Sequence, residues 1–191
     1  MNEKLLANVR FYFAQSVFNS RCHFKAMDRL TKRENTISIF INIISAITII
    51  SLILQIFGFE SNYQIIIHIA ICLGLFSTAT SLIVERFNRN DRMQNIFQHK
   101  LYAEKYKTLR DEYMSLIADI MSNNIQEEQI LIKRDYLQKR YSNLGENAPV
   151  TEMADYKKTQ EGLGILKEEK EEFTWPDSEI DKFLPTQLRI S

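Results

Sequence analysis

The sequence predicts an all-α membrane protein, in which a two-helix transmembrane hairpin is flanked by long cytoplasmic helices that form an antiparallel stalk. Three observations predict this fold: two apolar runs without Lys, Arg, Asp or Glu, basic residues beside both runs, and amphipathic helical patterns on either side. The chain of 191 residues has room for one small membrane unit with cytoplasmic helices. We divide it into residues 1–36, 37–84, 85–145 and an acidic helical segment and tail at 146–191.

The two apolar runs comprise residues 37–59 and 63–84. As a helix rising about 1.5 Å per residue, each is long enough to cross a hydrocarbon layer of about 30 Å. The first run contains ten Ile, three Phe and two Leu, so insertion tolerates Asn42 and Gln55. The alternative is a buried hairpin in a soluble bundle. It would require a polar face on at least one helix, and these runs offer little polar surface.

The region before the first run is predicted to be an N-terminal cytoplasmic helix over residues 3–34. Apolar residues recur there at spacings of three, four and seven, and neither Gly nor Pro interrupts the pattern. The stripe consists of Leu6, Val9, Phe13, Val17, Phe24, Met27 and Leu30. It could lie on the membrane surface, but we expect it to pack against another helix because a matching stripe occurs downstream.

Charges beside the apolar runs predict the topology. The basic residues before the first run and after the second are Lys25, Arg29, Lys32, Arg33, Arg86, Arg89 and Arg92. In the short connecting loop, residues 60–62, the one charged residue is Glu60. Because basic residues stay on the cytoplasmic side, both termini are predicted to be cytoplasmic and the loop to face outward, as in a multi-pass membrane protein.

Polar and small residues inside the runs are candidate pore-lining or helix-interface positions. They are Asn42, Ser45, Thr48 and Ser51 in the first run, and Gly74, Ser77, Thr78 and Ser81 in the second. Small residues let helix backbones approach closely, whereas the same hydroxyl and amide groups could face a water-filled path. We predict packing for the group around Gly74, and both interpretations stay open for the stripe that begins at Asn42.

His68 is the one histidine inside the runs. An intramembrane histidine can relay protons, but the runs contain no second ionisable group suited to a relay. We therefore expect its imidazole to be neutral and hydrogen-bonded to a neighbouring helix.

A heptad seam follows the second run and is predicted to complete the stalk. Its residues are Tyr102, Tyr106, Leu109, Tyr113, Leu116 and Ile120. A break is predicted at residues 122–124, then a helix over residues 125–141 that ends before Gly145 and Pro149. Residues 151–173 are predicted to form a further amphipathic helix with an acidic solvated face. The tail from Trp175 is expected either to dock on a partner subunit or to remain mobile.

The sequence offers no pattern for catalysis, so we expect no enzymatic activity, cofactor, metal site or direct nucleic-acid binding. His23, His68 and His99 are scattered, without the spacing of metal ligands. The Gly162-x-Gly164 pair lacks the third glycine of a dinucleotide-binding loop. Cys22 and Cys72 form no C-x-x-C pair and are expected to be buried thiols in a reducing compartment.

A short motif precedes the first run, where Arg21, Ala26, Arg29 and Leu30 follow the pattern Arg-x-x-x-x-Ala-x-x-Arg-Leu. Glu85 closes the second run. Through these residues and the hydropathy of residues 5–145, the chain resembles the SLATT family of bacterial two-span membrane effectors. The small, serine-rich ending of the second span is kept only in part.

The resemblance implies an oligomeric pore- or channel-forming effector in the inner membrane of a bacterium, acting in an antiphage, abortive-infection system. Its trigger would be a nucleotide second messenger or an associated sensor such as a nucleotidyltransferase or reverse transcriptase. Two helices cannot enclose a lumen, so any pore requires a homo-oligomer. The alternative function is a membrane scaffold whose cytoplasmic helices recruit a partner. A proton-coupled transporter that uses His68 is a third, weaker interpretation.

Overall fold

The computed structural model describes the backbone of residues 3–56, 64–123, 125–165 and 175–191. Throughout these residues the regular secondary structure is helical and no strand occurs, which confirms the all-α prediction. The α-helices are α1 (Glu3–Ile56), α2 (Gln64–Met121), α3 (Glu127–Asn147), α4 (Met153–Leu163) and α5 (Asp177–Ile180). Two 3₁₀ turns follow, at Asp181–Phe183 and Thr186–Leu188. The predicted outward loop, with Glu60, lies outside the described residues.

Helix α1 contains residues 37–56 of the first apolar run, helix α2 contains residues 64–84 of the second, and both are long and apolar enough to cross a membrane. Residues 3–34, predicted as an N-terminal helix, and residues 37–56 of the predicted first span form one uninterrupted helix, because neither Gly nor Pro occurs between Glu3 and Ile56. Large apolar side chains of both runs are exposed, with Phe40 at 66% and Phe76 at 74% of their full accessibility. A core helix of a soluble protein would bury such side chains, so this surface fits a lipid environment.

The chain forms two compact units. The first unit combines Met1–Asp28 with Phe97–Ser191, and the second is Arg29–Ile96. The hydrophobic core of the first unit draws buried residues from α1, α2, α3 and the C-terminal segment, among them Phe13, Leu109, Leu137 and Leu184.

Within the first unit, contacts pair residues of α1 and α2 in reverse order along the chain. Tyr12 stacks on Tyr113 with ring centroids 6.0 Å apart. Further along α1, the hydroxyl of Ser20 donates to the carbonyl of Ala103 over 2.9 Å. Helix α3 joins them through Tyr141, whose ring lies edge-on to Tyr12 at 5.2 Å.

The C-terminal ends of α3 and α4 differ from the predicted ones. Helix α3 continues past Gly145 and ends at Asn147. The next residue, Ala148, has the extended backbone (ψ 142°) that is favoured before a proline. The helix predicted over residues 151–173 ends at Leu163, because Gly164 takes the left-handed conformation (φ 66°) that closes a helix. The acidic run at residues 168–172 lies outside the described residues.

The tail packs on its own chain, which corrects both predictions made for it. Trp175 is buried and lies edge-on to Phe18 of α1, with ring centroids 6.0 Å apart. Ile180 and Leu184 are also buried in the core of the first unit. Burial of their apolar side chains explains this docking.

Candidate pore-lining, packing and stalk residues

The four candidate residues of the first run, which form the stripe that begins at Asn42, occupy different faces of α1. Asn42 is exposed, Ser45 and Ser51 are half-buried, and Thr48 is buried. Each step of three residues turns a helix by about 300°, so the stripe shifts by about 60° per step and Asn42 lies about 120° from Thr48. The stripe therefore cannot serve one purpose along its whole length.

Thr48 meets Gly74 where α1 and α2 approach closely in the second unit. A Cβ atom placed on Gly74 would lie only 2.1 Å from the Thr48 hydroxyl oxygen, so a side chain there would force the helices apart. Gly74 is buried, and its neighbours Ser77, Thr78 and Ser81 are half-buried. Close approach at a glycine is the usual purpose of small residues between membrane helices.

Hydroxyl groups of the second unit donate to carbonyl groups one turn earlier in their own helix. Thr48 donates to Ile44 over 2.9 Å, and Thr78 donates to Gly74 over 2.7 Å. Such bonds satisfy a hydroxyl in a lipid environment without water. Thr48 and Thr78 therefore need no lumen to be stable in a membrane.

His68 forms a bond within its own helix, and Cys72 differs from its prediction. The Nδ1 atom of His68 lies 2.7 Å from the carbonyl oxygen of Gln64, one turn earlier in the helix, and a bond to a neighbouring helix stays a prediction. The spacing of four residues explains this bond, since it brings the ring above the preceding turn. Cys72 is exposed on the second unit, whereas Cys22 is buried in the first.

The six seam residues Tyr102, Tyr106, Leu109, Tyr113, Leu116 and Ile120 are all buried in the first unit. Of the motif residues, Ala26 is fully buried, Arg21 is exposed, and Arg29 and Leu30 are half-buried. The side chain of Glu85 lies outside the described part of the chain. The seam thus packs against residues of the same chain, including Tyr12.

A buried histidine pair in the first unit was missed by the sequence reasoning. The Nδ1 atoms of His23 and His99 lie 3.0 Å apart, so one N–H donates to the other ring's nitrogen. The ring of His23 also stacks on Tyr106 at 5.7 Å. Burial, followed by the neighbouring His99, lowers the pKa of His23 to about 4. The ring of His23 is therefore neutral at cellular pH.

The signal for this pair was present in the spacing. His99 precedes Tyr102 by three residues and Tyr106 by seven, which extends the heptad seam by one position. His23 follows Ser16 and Ser20 on the buried face of α1. A pattern of apolar residues alone omits all four of these buried polar positions, Ser16, Ser20, His23 and His99.

Cys22, Asp155 and Thr159 form a second buried polar group, between α1 and α4. Burial raises the pKa of the Cys22 thiol to about 11, although a hydrogen bond with Thr159 opposes the increase. Asp155 caps α4 by accepting the Glu152 backbone N–H over 3.0 Å. The thiol is therefore protonated and a poor nucleophile. Nowhere in the described residues do three or more His, Cys, Asp or Glu side chains form a group that could hold a metal ion.

Arg10 connects α1 to the tail. Its guanidinium is fully buried and donates to Asp181 over 2.5 Å, to Asp177 over 3.2 Å and to the carbonyl of Leu188 over 3.2 Å. Burial acts to raise the pKa of Asp181, but hydrogen bonds from Ser191 and Arg10 outweigh it and hold that pKa at about 2. The carboxylate is therefore charged throughout the physiological range.

Comparison with known proteins gives a family but no individual relative. No curated protein and no solved structure matches the chain. Residues 5–179 match one family, and this range extends the resemblance beyond residue 145 to include α4 and the start of the tail. Because the match covers most of the 191 residues, the chain belongs to the SMODS and SLOG-associating 2TM effector domain family 4, a SLATT family.

Proposed function

We propose that the chain is a pore- or channel-forming effector of the bacterial inner membrane, which assembles as a homo-oligomer and disrupts membrane integrity in an antiphage system. Family membership supports a membrane-associated effector in conflict systems. In this proposal the two spans form a hairpin, both termini are cytoplasmic, and the chain acts without catalysis. The reverse-order contacts of Tyr12 with Tyr113 and of Ser20 with Ala103 support an antiparallel stalk.

The exposure of Asn42 carries the proposal of a pore. Around it, the apolar side chains of Ile39 and Ile43 are exposed at 59% and 53%. A carboxamide that faced hydrocarbon would lose its hydrogen bonds to water, at a cost of several kcal/mol. A second copy or a water-filled lumen would remove this cost. By contrast, Thr48 and Gly74 are already used in packing within one chain.

A trigger must favour one assembly state over another. A signal that bound the closed and open states equally would shift no population, however tightly it bound. We propose that the signal is a nucleotide or an upstream sensor protein, because the family is described as associating with SMODS and SLOG. The first unit, with its exposed charged residues, is the part of the chain that would receive it.

Ion flux through liposomes tests the pore. We expect the purified chain, activated by its trigger where one is required, to release a trapped ion, and we expect Asn42→Leu to reduce the flux at equal incorporation. Asn90→Leu makes the same chemical change at an exposed position outside the apolar runs and serves as the control. Flux that persists at the wild-type rate in assembled Asn42→Leu would contradict a lining role for Asn42.

A membrane scaffold is the second candidate function. The exposed surfaces of α3 and α4 would then recruit a partner, and the spans would only anchor the chain. Replacing residues 37–84 by an unrelated hairpin separates the two functions. Retained protection against phage would favour the scaffold, whereas loss of protection in a correctly inserted chimera would favour the pore.

A further inference from the structure

Two adjoining cavities lie between α1 and α2 in the second unit. One has a volume of about 320 Å³ and is lined chiefly by apolar side chains, including Phe40, Ile41 and Ile44. The other, the polar cavity, has a volume of about 520 Å³ and is lined by charged side chains, including Arg33, Glu34 and Asp91, together with the apolar side chains of Leu30, Ile37 and Ile96. Ile37 and Arg92 line both cavities, so an apolar space and a polar space share one boundary.

We propose that these cavities together bind one phospholipid whose headgroup carries a primary ammonium, as in phosphatidylethanolamine. The apolar cavity would hold part of an acyl chain, and the polar cavity would hold the headgroup. The polar cavity lies beyond the apolar run, beside the basic residues that flank the spans, which is the depth of a headgroup. This inference depends on membrane insertion of the two spans but not on pore formation.

The charges in the polar cavity indicate the class of headgroup. Arg92 and Glu34 neutralise one another in a two-bond ion pair, with Nε to Oε2 at 2.7 Å and Nη2 to Oε1 at 3.2 Å. Arg33 and Asp91 add one positive and one negative charge to the same lining. A headgroup with one phosphate and one ammonium group complements that arrangement, whereas an anionic headgroup would place uncompensated negative charge beside Asp91.

The carboxylate of Asp91 further distinguishes between zwitterionic lipids. A primary ammonium has three N–H donors, and its hydrogen bond to a carboxylate is charge-assisted. A trimethylammonium group has no N–H donor, so phosphatidylcholine would gain only a weaker attraction from Asp91. Arg33 would bind the phosphate, which is common to every phospholipid. The cavity should therefore bind phospholipids in general through Arg33 and select among them through Asp91.

Native mass spectrometry of the detergent-solubilised full chain tests this assignment. We expect phosphatidylethanolamine to bind about tenfold more tightly than phosphatidylcholine or phosphatidylglycerol with the same acyl chains. Arg33→Gln should weaken all three lipids, and Asp91→Asn should remove the preference for phosphatidylethanolamine. Lys32→Gln and Asp28→Asn make the same charge changes at exposed positions that do not line the cavities, and should have no effect.

A substitution in the apolar cavity gives a second measurement. Ile41→Trp should fill that cavity and displace the lipid, whereas Ile43→Trp, at an exposed position outside its lining, should not. Equal affinity for the three lipids, or tighter binding of phosphatidylglycerol, would overturn the proposal. Lipid found only on monomers and absent from oligomers would also overturn it, because a second copy of the chain would then cover the groove. Liposome flux is measured separately, so failure of the lipid site and failure of the pore are distinguishable.

Discussion

Arg10 and Asp181 form a buried ion pair across 171 residues of sequence, with their nearest nitrogen and oxygen 2.5 Å apart. Asp181 also accepts the backbone N–H groups of Ile190 and Ser191 at 3.1 and 2.9 Å. The pair therefore holds the end of the described chain against α1. Because each buried charge has its partner and further hydrogen bonds, removing either side leaves the other charge uncompensated.

We expect Arg10→Met to destabilise the first unit by about 3–5 kcal/mol, because Asp181 and the bonds around it lose their cation. Trp175 is the single tryptophan and is buried against Phe18, so its fluorescence reports detachment of the tail. Urea unfolding of the detergent-solubilised chain, followed by this fluorescence, measures the change. Lys4→Met removes a cation from an exposed position on the same helix and should have little effect.

A double variant shows whether the ion pair itself is responsible. Arg10→Met combined with Asp181→Leu should recover part of the lost stability, because no uncompensated buried charge remains. If the losses of the two single variants simply added in the double variant, Arg10 and Asp181 would be shown to act independently.

The His23 and His99 pair predicts a stability that falls in acid. The pKa of His23 is lowered by burial from 6.5 in the unfolded chain to about 4 in the folded chain. The unfolded state therefore binds a proton more readily, so stability is complete above about pH 6.5 and declines as the pH falls toward 4. The stability that Asp181 contributes is lost at lower pH, because its pKa is lowered from 3.8 to about 2. The two effects are thus separated along the pH scale.

Urea unfolding between pH 7 and pH 4 measures this dependence. We expect the wild-type chain to lose stability across that range, and we expect His23→Gln to show a flatter profile although it is less stable at pH 7. His68→Gln changes a histidine of the second unit and should leave the slope unchanged. An equally steep profile in His23→Gln would assign the acid sensitivity to other groups.

Gly74 and Thr48 predict a steric effect between the two spans. Gly74→Ala places a Cβ atom 2.1 Å from the Thr48 hydroxyl oxygen, and relieving this overlap is expected to cost about 1–3 kcal/mol. Gly162→Ala is the matched control, because a Cβ atom there meets nothing within 4 Å and alanine favours a helix more than glycine does. Thermal unfolding in detergent, followed by circular dichroism, compares the two variants.

A compensating substitution checks the steric explanation. Three atoms of Thr48 approach the Cβ atom added at position 74: the hydroxyl oxygen, the Cβ and the methyl carbon. Thr48→Ala removes the hydroxyl and the methyl group but leaves the Cβ of residue 48 at 3.0 Å. We therefore expect Gly74→Ala with Thr48→Ala to recover stability in part. No recovery at all would mean that Gly74→Ala acts through another contact.

The sequence predicted the helices better than it predicted the contacts between them. Hydropathy and spacing identified both apolar runs and the seam from Tyr102, because those patterns are local. Local spacing places His23 and His99 each on the buried face of its own helix, but it does not reveal that the two residues meet across 76 positions, or that Arg10 meets Asp181 across 171. Likewise, the stripe from Asn42 could not be divided into packed and exposed residues until the face occupied by Gly74 was known.

The two cysteines provide a last prediction, about opening of the first unit. Cys22 is buried beside Thr159 of α4, and burial raises the pKa of its thiol to about 11. Near pH 7 a reagent therefore reaches the thiol rarely, and little of the thiol is present as the reactive thiolate.

In a Cys72→Ser background, we expect a maleimide to label Cys22 far more slowly than it labels the unfolded chain. Asp155→Ala removes one of the two hydrogen bonds of the capping box that begins α4 and should accelerate labelling by about tenfold, corresponding to roughly 1–2 kcal/mol of lost capping energy. Glu146→Ala, at an exposed position of α3, is the control. Labelling of folded wild-type Cys22 at the rate of the unfolded chain would show that α4 does not protect it.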